Sequence, residues 1–226
     1  MRMLTRSIPV VGLILCLGAA DVAAQQSGGN GAFQWYVGGQ GGVLFFKTPT
    51  QGRQGIPSFG GQTLIVAKRT GLLLSVEEAV GDNETSGYND TFGAQPVTFN
   101  DLRKYSGVLM AFPLKTPMAP YLGVGFGILH VVNPQPTSTT ASQSVARELG
   151  STGFGTFLAG VQFKLSRFMA FGQYQITTSP SQKFVTDTSG TVTATGQLLV
   201  GPTHTFSGGL RIGLGNARED VRGGGY

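Results

Sequence analysis

The sequence predicts an all-β protein, an eight-stranded antiparallel up-and-down transmembrane β-barrel. Segments of about ten residues alternate large apolar side chains with small or polar ones, and the connections between them are alternately long and short. The chain has 36 glycines, and only 12% of its residues are charged. No apolar run approaches the ~20 residues that a membrane-spanning helix needs. Strands of a closed sheet are therefore the remaining way for this chain to cross a bilayer.

The clearest segment is 120–132. Read at period two, one face carries large apolar side chains, and the other carries Tyr121, Gly123, Gly125 and Gly127. A strand of a soluble protein usually turns apolar residues to the core and polar residues to water. Here the apolar face lies opposite a face made mostly of glycine. This pattern indicates a strand whose apolar face contacts lipid and whose glycine face lines a narrow, crowded barrel interior.

The N-terminal segment 1–24 is predicted to be a cleaved signal peptide. Two arginines precede an apolar run at 8–20, and small residues lead to a cleavage site between Ala24 and Gln25. The apolar run is too short for a membrane anchor. We therefore expect export through the inner membrane.

The single cysteine, Cys16, lies inside that segment and follows Leu15. A lipoprotein cleavage site would have a small residue before the cysteine, so lipidation is not expected. Cleavage would leave a mature chain without disulfides or thiol chemistry. Residues 25–33 are rich in Gly, Ser and Gln and are expected to form a flexible lead-in.

Eight strands are predicted within a barrel domain at 34–215, and a flexible, glycine-rich tail follows at 216–226. Aromatic residues near the strand ends are typical of the two membrane interfaces. The strands are expected at 35–46, 58–67, 72–80, within 97–112, 120–132, 153–165, 168–178 and 203–214.

The connections predict the orientation of the barrel. Outer-membrane barrels have long outer loops, short periplasmic turns and both termini in the periplasm. The long connections are 47–57, 81–96, 133–152 and 179–202, and the short ones are 68–71, 113–119 and 166–167.

Two points of the strand assignment stay open. In the fourth strand, either Val108, Met110 and Phe112 or Leu109 and Ala111 could face lipid. The segment 191–200 could be a ninth spanning strand, but that would make the count odd. We favour a β-hairpin above the membrane with its tip at 187–190.

Polar side chains on the inward parity are the candidate functional residues. An eight-stranded barrel is just wide enough for its own side chains, so a hydrogen-bonded interior network is expected in preference to a pore. Glu77 is expected to pair with Arg211 or with Lys164. The predicted network comprises Gln40, Glu77, Gln162, Lys164, Gln173, Gln175 and Arg211.

A catalytic site is not predicted. His204 and Ser207 are three residues apart, which places their side chains on opposite faces of a strand, whereas a general base must reach its nucleophile. His130 is expected at the rim near lipid headgroups. Two histidines without placed partners do not make a metal site, and no cofactor is implied.

The charge pattern argues against nucleic acid as a partner. The formal net charge is +5, but the basic residues are scattered along the chain. Basic clusters are the usual signature of nucleic-acid binding, and export makes such a partner less plausible still.

The strand patterns resemble those of the small outer-membrane barrels of the OmpA/OmpX type. The resemblance is carried by 120–127, by 159–165 leading into 168–174, and by 204–214. It covers most of the predicted mature chain and implies the barrel fold. The sequence departs from that pattern in continuing beyond the last strand through 216–226. We expect no appended peptidoglycan-binding domain, so an anchoring role is not carried over.

These observations together predict a non-enzymatic outer-membrane protein of a Gram-negative envelope, with a role in envelope structure or surface interaction. The alternatives are a lipid A deacylase-like enzyme, a narrow passive channel and a soluble periplasmic β-sandwich. Expected partners are outer-membrane lipid and lipopolysaccharide, signal peptidase, periplasmic chaperones and the barrel-insertion machinery. The long outer loops could bind a surface ligand.

Overall fold

The computed structural model describes residues 33–114, 116–165 and 167–217, of which 215–217 are described by their backbone. Eight long strands form a closed antiparallel barrel, as predicted. They are β1 (Phe33–Phe46), β2 (Gln54–Ala67), β3 (Thr70–Asp90), β4 (Gly93–Ala111), β5 (Met118–Val132), β7 (Ser151–Leu165), β8 (Phe168–Thr177) and β11 (His204–Ala217). Three short strands and one helix complete the described structure: β6 (Gln135–Pro136), β9 (Lys183–Thr186), β10 (Val192–Gly196) and α1 (Gln143–Leu149).

The eight long strands are joined up and down, and β1 closes the barrel by pairing with β11. One end holds the start of β1, the end of β11 and the three short connections; we call it the turn end. The opposite end, with the longer connections, is the loop end. The predicted signal peptide (1–24) lies outside the described residues, as do the lead-in up to residue 32 and the tail from residue 218.

The outer wall of the barrel carries a continuous band of exposed apolar side chains, which we call the apolar belt. Phe126 on β5 is 77% exposed. On β4, Leu109 is 66% exposed while Val108 and Met110 are buried, so Leu109 and Ala111 face outward. Within the described residues, no helix is long and apolar enough to span a membrane. The belt includes Val37, Val43, Phe59, Leu74, Val76, Leu109, Leu122, Val124, Phe126, Ile128, Phe157, Phe206, Leu210 and Ile212.

The inward glycines of β5 allow the neighbouring backbone to approach closely. A Cβ atom on Gly125 would lie 2.1 Å from the carbonyl oxygen of Gly107 on β4. A Cβ on Gly127 would lie 2.2 Å from the carbonyl oxygen of Tyr105. The empty face of this segment is therefore a requirement of tight strand packing in a narrow barrel.

The barrel interior is layered along its axis. An apolar core fills the turn end, polar side chains occupy the middle, and a second apolar core fills the loop end. The turn-end core comprises Tyr36, Leu64, Leu73, Val108, Met110, Phe112, Tyr121, Leu158 and Met169. The loop-end core includes Leu44, Phe46, Ile56, Ala79, Phe99, Leu102, Leu129, Val131 and Phe154 from the barrel strands, together with side chains from the connections.

The prediction of a polar loop at 81–96 is wrong. After an irregularity between Val80 and Glu84, β3 and β4 resume pairing and continue to a tip beside Gly93. The segment is polar because it lies beyond the apolar belt, and it is nevertheless regular: its inward positions still alternate and include buried Ser86, Tyr88 and Gln95.

The other long connections also carry regular structure. Segment 133–152, predicted as a loop, contains β6 and α1. The predicted hairpin within 179–202 is confirmed: β9 and β10 pair antiparallel, and hydrogen bonds between Asp187 and Thr191 and between Gly190 and Asp187 close its tip. A spanning strand at 191–200 is excluded because β10 pairs with β9 and with the end of β3, outside the eight-strand ring.

Candidate functional site: the polar layer and the loop-end cap

An ion pair lies at the centre of the barrel interior. The ammonium Nζ of Lys104 on β4 is 2.8 Å from the carboxylate Oε2 of Glu77 on β3, and both side chains are 2% exposed. The predicted pairings of Glu77 with Arg211 or Lys164 are wrong. Lys104 lies directly opposite Glu77 in the β3–β4 register, so it reaches the carboxylate first.

Hydrogen bonds extend this pair across the barrel. Lys104 also donates to the Thr205 hydroxyl at 2.8 Å, and the Gln40 amide donates to Glu77 at 3.4 Å. Gln173 donates to Gln40 at 3.2 Å and accepts from the Tyr121 hydroxyl at 3.1 Å. The result is one chain of polar contacts through six strands, formed by Tyr121, Gln173, Gln40, Glu77, Lys104 and Thr205.

Arg211 is fully buried beside this chain, and its contacts are neutral. Its guanidinium donates to the Gln62 side-chain oxygen at 2.9 Å and lies 3.9 Å from the centre of the Phe171 ring. A buried guanidinium is stabilised here by an amide and an aromatic face instead of a carboxylate.

Six of the seven predicted interior residues are buried: Gln40, Glu77, Gln162, Gln173, Gln175 and Arg211. The seventh, Lys164, is exposed, which corrects the prediction. It keeps the inward parity of β7 but lies at the turn end, next to the rim, where its backbone N–H bonds to Pro117. The alternation of a strand therefore predicts which side chains are buried only for residues that lie away from the barrel rim.

Sequence reasoning missed Lys104 and Gln62. The open facing of the fourth strand hid Lys104, because either parity was allowed there. Once Leu109 is known to face lipid, the alternation of β4 places Lys104 inward. Among the described residues, no group of three or more His, Cys, Asp or Glu side chains could hold a metal ion.

The loop end is closed by an ordered assembly that we call the cap, formed by 81–100, 133–150 and 179–203. Its sheet is the outer part of the β3–β4 ribbon, extended by β10 and β9 on the β3 side and by β6 on the β4 side. Helix α1 buries Ala146 and Leu149 against the loop-end core. The cap therefore lies over the barrel mouth as a packed structure.

Polar contacts tie the cap segments to one another and to the barrel. The Ser86 hydroxyl donates to the carbonyl of Leu198 at 2.7 Å, and the hydroxyl of Thr48, between β1 and β2, donates to the carbonyl of Thr85 at 2.6 Å. The ammonium of Lys183 donates to the Glu148 carbonyl at 3.1 Å. Each bond joins segments distant in sequence, so the cap is held by tertiary contacts and not only by its hairpins.

The cap exposes large aromatic side chains to solvent. Phe92 at the ribbon tip is 74% exposed, and Phe184 on β9 is 62% exposed. These positions lie beyond the apolar belt, where the surrounding surface is polar. Exposed aromatic side chains on a polar surface are typical of sites that contact a partner.

The two histidines lie on the outer wall near the loop end. His204 stacks on Tyr174 and hydrogen-bonds its hydroxyl at 2.6 Å, while the guanidinium of Arg53 is 3.3 Å away. Ser207 has the opposite parity on β11, on the side of buried Thr205 and Arg211, so the two do not form a catalytic pair.

A different serine does contact a histidine. His130 Nδ1 and the Ser151 hydroxyl are 2.6 Å apart, in a row of paired residues that also contains Glu78 and Arg103. Arg103 lies directly opposite His130 in the β4–β5 register. A general base must become an imidazolium when it takes the hydroxyl proton, and a neighbouring cation disfavours that form. Among the described residues, the one carboxylate of this row, that of Glu78, is ion-paired with Arg103 at 2.9 Å, and Arg103 lies between it and His130.

Comparison with known proteins bears on the fold. No protein-family model matches the chain, and neither does any curated protein sequence. The crystal structure of Neisserial surface protein A superimposes with a TM-score of 0.51 at 11% identity, covering 79% of this chain and 96% of that one. This chain has the fold of the small outer-membrane β-barrels. At this identity the similarity concerns the fold alone.

Two further structures match with lower scores. The Ail protein of Yersinia pestis has a TM-score of 0.36 at 13% identity, covering 80% of this chain and 99% of that one. A major outer membrane protein of Thermus thermophilus has a TM-score of 0.42 at 15% identity, covering 80% of this chain and 99% of that one.

Proposed function

We propose that this protein is a non-enzymatic outer-membrane β-barrel that holds an ordered cap at the cell surface for interaction with a partner. The observation that carries the proposal is the cap itself. It has a packed core, a polar outer surface and two exposed aromatic side chains, Phe92 and Phe184. Connections that served only to join strands would not need a shared hydrophobic core.

The proposed orientation places the loop end outside the cell and the turn end in the periplasm, as in other barrels of this kind. Outer-membrane lipid and lipopolysaccharide then surround the apolar belt. Export would use the signal peptide at 1–24, periplasmic chaperones and the barrel-insertion machinery.

Two other functions are less well supported. The interior polar layer lies between apolar cores at both ends, which opposes a water-filled path for ions. A hydrolase is disfavoured because His204 and Ser207 lie on opposite faces of β11, and because a cation next to His130 disfavours its protonation by a serine hydroxyl. We therefore propose neither transport nor catalysis.

Orientation can be tested by labelling cysteines on intact cells, in a Cys16→Ser background. Phe92→Cys lies at the ribbon tip and Leu114→Cys at the turn end; both native side chains are exposed. A membrane-impermeant maleimide should label the first on intact cells and the second only after permeabilisation. Labelling in the opposite order would contradict the proposed orientation.

The interaction role is tested by retention of cells on immobilised matrix proteins and envelope polysaccharides. Cells that produce the protein should be retained more than cells with empty vector, and Phe92→Ser with Phe184→Ser should abolish the difference. The matched control, Phe126→Ser, changes an exposed aromatic residue in the belt and should retain binding if it is inserted. Equal retention of producing and non-producing cells on every surface would contradict the role.

A further inference from the structure

A groove runs along the outer wall of the barrel at the turn end, across β1, β2, β3 and β4. Its volume is about 460 Å³, and it is almost entirely apolar. This feature lies in the belt, far from the cap and from the interior polar layer. The groove is lined by Phe33, Trp35, Ile65, Ala67, Thr70, Gly71, Leu72 and Leu109.

Strand register explains why the wall is hollow here. Trp35 and Leu109 lie at the two ends of one row of paired residues, with Ile65 and Leu72 between them. In the next row toward the rim, the centre is formed by the smaller Ala67 and Thr70, which pair with each other. Beside a row of four large side chains, the small side chains of Ala67 and Thr70 leave a depression about the size of a ligand site.

The groove opens at the rim onto a basic turn. Lys68 and Arg69 connect Ala67 to Thr70, and both are exposed at the rim. Lys68 has a φ of 56°, and the Arg69 carbonyl accepts the Phe112 N–H at 2.8 Å, so the backbone of the turn is tied to the neighbouring strand. Every described aspartate and glutamate lies in the interior or toward the loop end. Within the described residues, the charge at this rim is therefore purely positive.

We infer that the groove binds one anionic diacyl phospholipid from the membrane leaflet at the turn end. An acyl chain lies along the groove over Ile65 and Leu72, and the headgroup phosphate lies against Lys68 and Arg69. The apolar walls match the chain, and the two cations match the phosphate. This inference requires the barrel to be in a bilayer, but it does not depend on the surface role proposed for the cap.

Trp35 allows a direct test because it is the single tryptophan of the chain and lines the groove. Bromine atoms on an acyl chain quench tryptophan fluorescence on contact. The full chain is reconstituted in phosphatidylcholine vesicles containing a small fraction of brominated phosphatidylglycerol or brominated phosphatidylcholine. Each basic residue near an anionic lipid changes its binding about fivefold, so we expect brominated phosphatidylglycerol to quench at a mole fraction at least about fivefold lower.

The variant Lys68→Asn with Arg69→Gln should remove this preference. Asparagine at 68 tolerates the left-handed backbone, and retained heat-modifiable migration on gels shows that the barrel is folded. The matched control is Lys164→Gln with Arg167→Gln, which removes the same charge from another basic turn of the rim. If the preference for phosphatidylglycerol is lost in the first variant and kept in the control, the result supports a lipid site at the groove.

Three outcomes overturn the inference. Equal quenching of the wild type by the two brominated lipids shows that the groove is filled without regard to charge. Retention of the preference in the Lys68→Asn, Arg69→Gln variant removes the headgroup contact. Equal loss in both variants shows a general attraction of the rim for anionic membranes and no site at the groove.

Discussion

The β3–β4 ribbon lies partly in the barrel wall and partly in the cap, and its outer face changes character between the two parts. In the wall, the outward positions are apolar and include Leu74 and Leu109. In the cap, the outward positions are largely polar and include Thr85, Asn89 and Thr98. The buried positions of both parts mix apolar and polar side chains, and the backbone pairing is continuous apart from one irregularity. The change therefore indicates that the surrounding medium, hydrocarbon or water, decides which side chains this ribbon turns outward.

The largest expected effect comes from the buried charge in the wall. Lys104→Met should lower the free energy of unfolding by about 3–5 kcal/mol, because Glu77 would remain buried without its cation. The double variant Lys104→Met, Glu77→Gln should recover much of the loss. Urea unfolding in lipid vesicles, followed by Trp35 fluorescence, measures both. A double variant as unstable as the single one would contradict the pairing.

A charged residue introduced on the outer surface should affect the free energy of unfolding differently in the barrel wall and in the cap. Val124→Arg in the belt should cost about 2–4 kcal/mol, because the guanidinium would face hydrocarbon. Asn89→Arg on the exposed face of the cap should change stability by less than about 0.5 kcal/mol. Equal changes in the free energy of unfolding for the two substitutions, in the same assay, would contradict the difference in surroundings between the wall and the cap.

Replacing an inward glycine of the barrel wall by alanine should destabilise the protein less than Lys104→Met or Val124→Arg. Gly125→Ala should cost about 1–3 kcal/mol, because its Cβ would overlap the Gly107 carbonyl and force the strands apart. Gly172→Ala is the matched control, since a Cβ there meets no atom within 4 Å. Similar unfolding free energies for both variants would contradict the close approach at Gly125.

The smallest effect concerns the tip of the β9–β10 hairpin. Asp187 accepts hydrogen bonds from the Ser189 hydroxyl and from the backbone N–H groups of Ser189 and Thr191. These bonds lower the pKa of Asp187 below its usual 3.8. The charged form therefore stabilises the hairpin at neutral pH, and this contribution disappears as the pH falls through the lowered pKa.

A carboxyl titration by NMR checks this contribution. The midpoint for Asp187 should lie below 3.8, and Ser189→Ala should raise it because the strongest of the three donors is removed. A midpoint at or above 3.8 in the wild type would exclude the bonds.

The wall could be predicted from sequence and the cap could not, for a physical reason. In the wall, the alternation at 120–132 or 203–214 distinguishes an apolar outer face from a small or polar inner face. The eight strands, and the facing of all but the fourth, therefore follow from parity. In the cap, segment 81–96 is polar because it lies outside the belt, and polar composition resembles that of a loop. The β6 and α1 segments are short and depend on contacts with distant residues, which local pattern does not contain.

The interior network shows the same division. The inward parity correctly places Gln40, Glu77 and Arg211, since each is well inside a strand. It fails at Lys164, where the strand reaches the rim, and it fails to select the partner of Glu77. Partner choice depends on the register between β3 and β4, which no single-strand pattern specifies.

The most direct test of the central claim measures the solvent at one position in each part. Nitroxide labels are placed at Phe126→Cys in the belt and at Asn89→Cys in the cap, in a Cys16→Ser background, and the protein is reconstituted in vesicles. Electron paramagnetic resonance then compares collisions with oxygen, which concentrates in hydrocarbon, and with a water-soluble nickel complex. We predict that the label at 126 collides mainly with oxygen and the label at 89 mainly with nickel. Equal nickel accessibility at both positions would contradict the account.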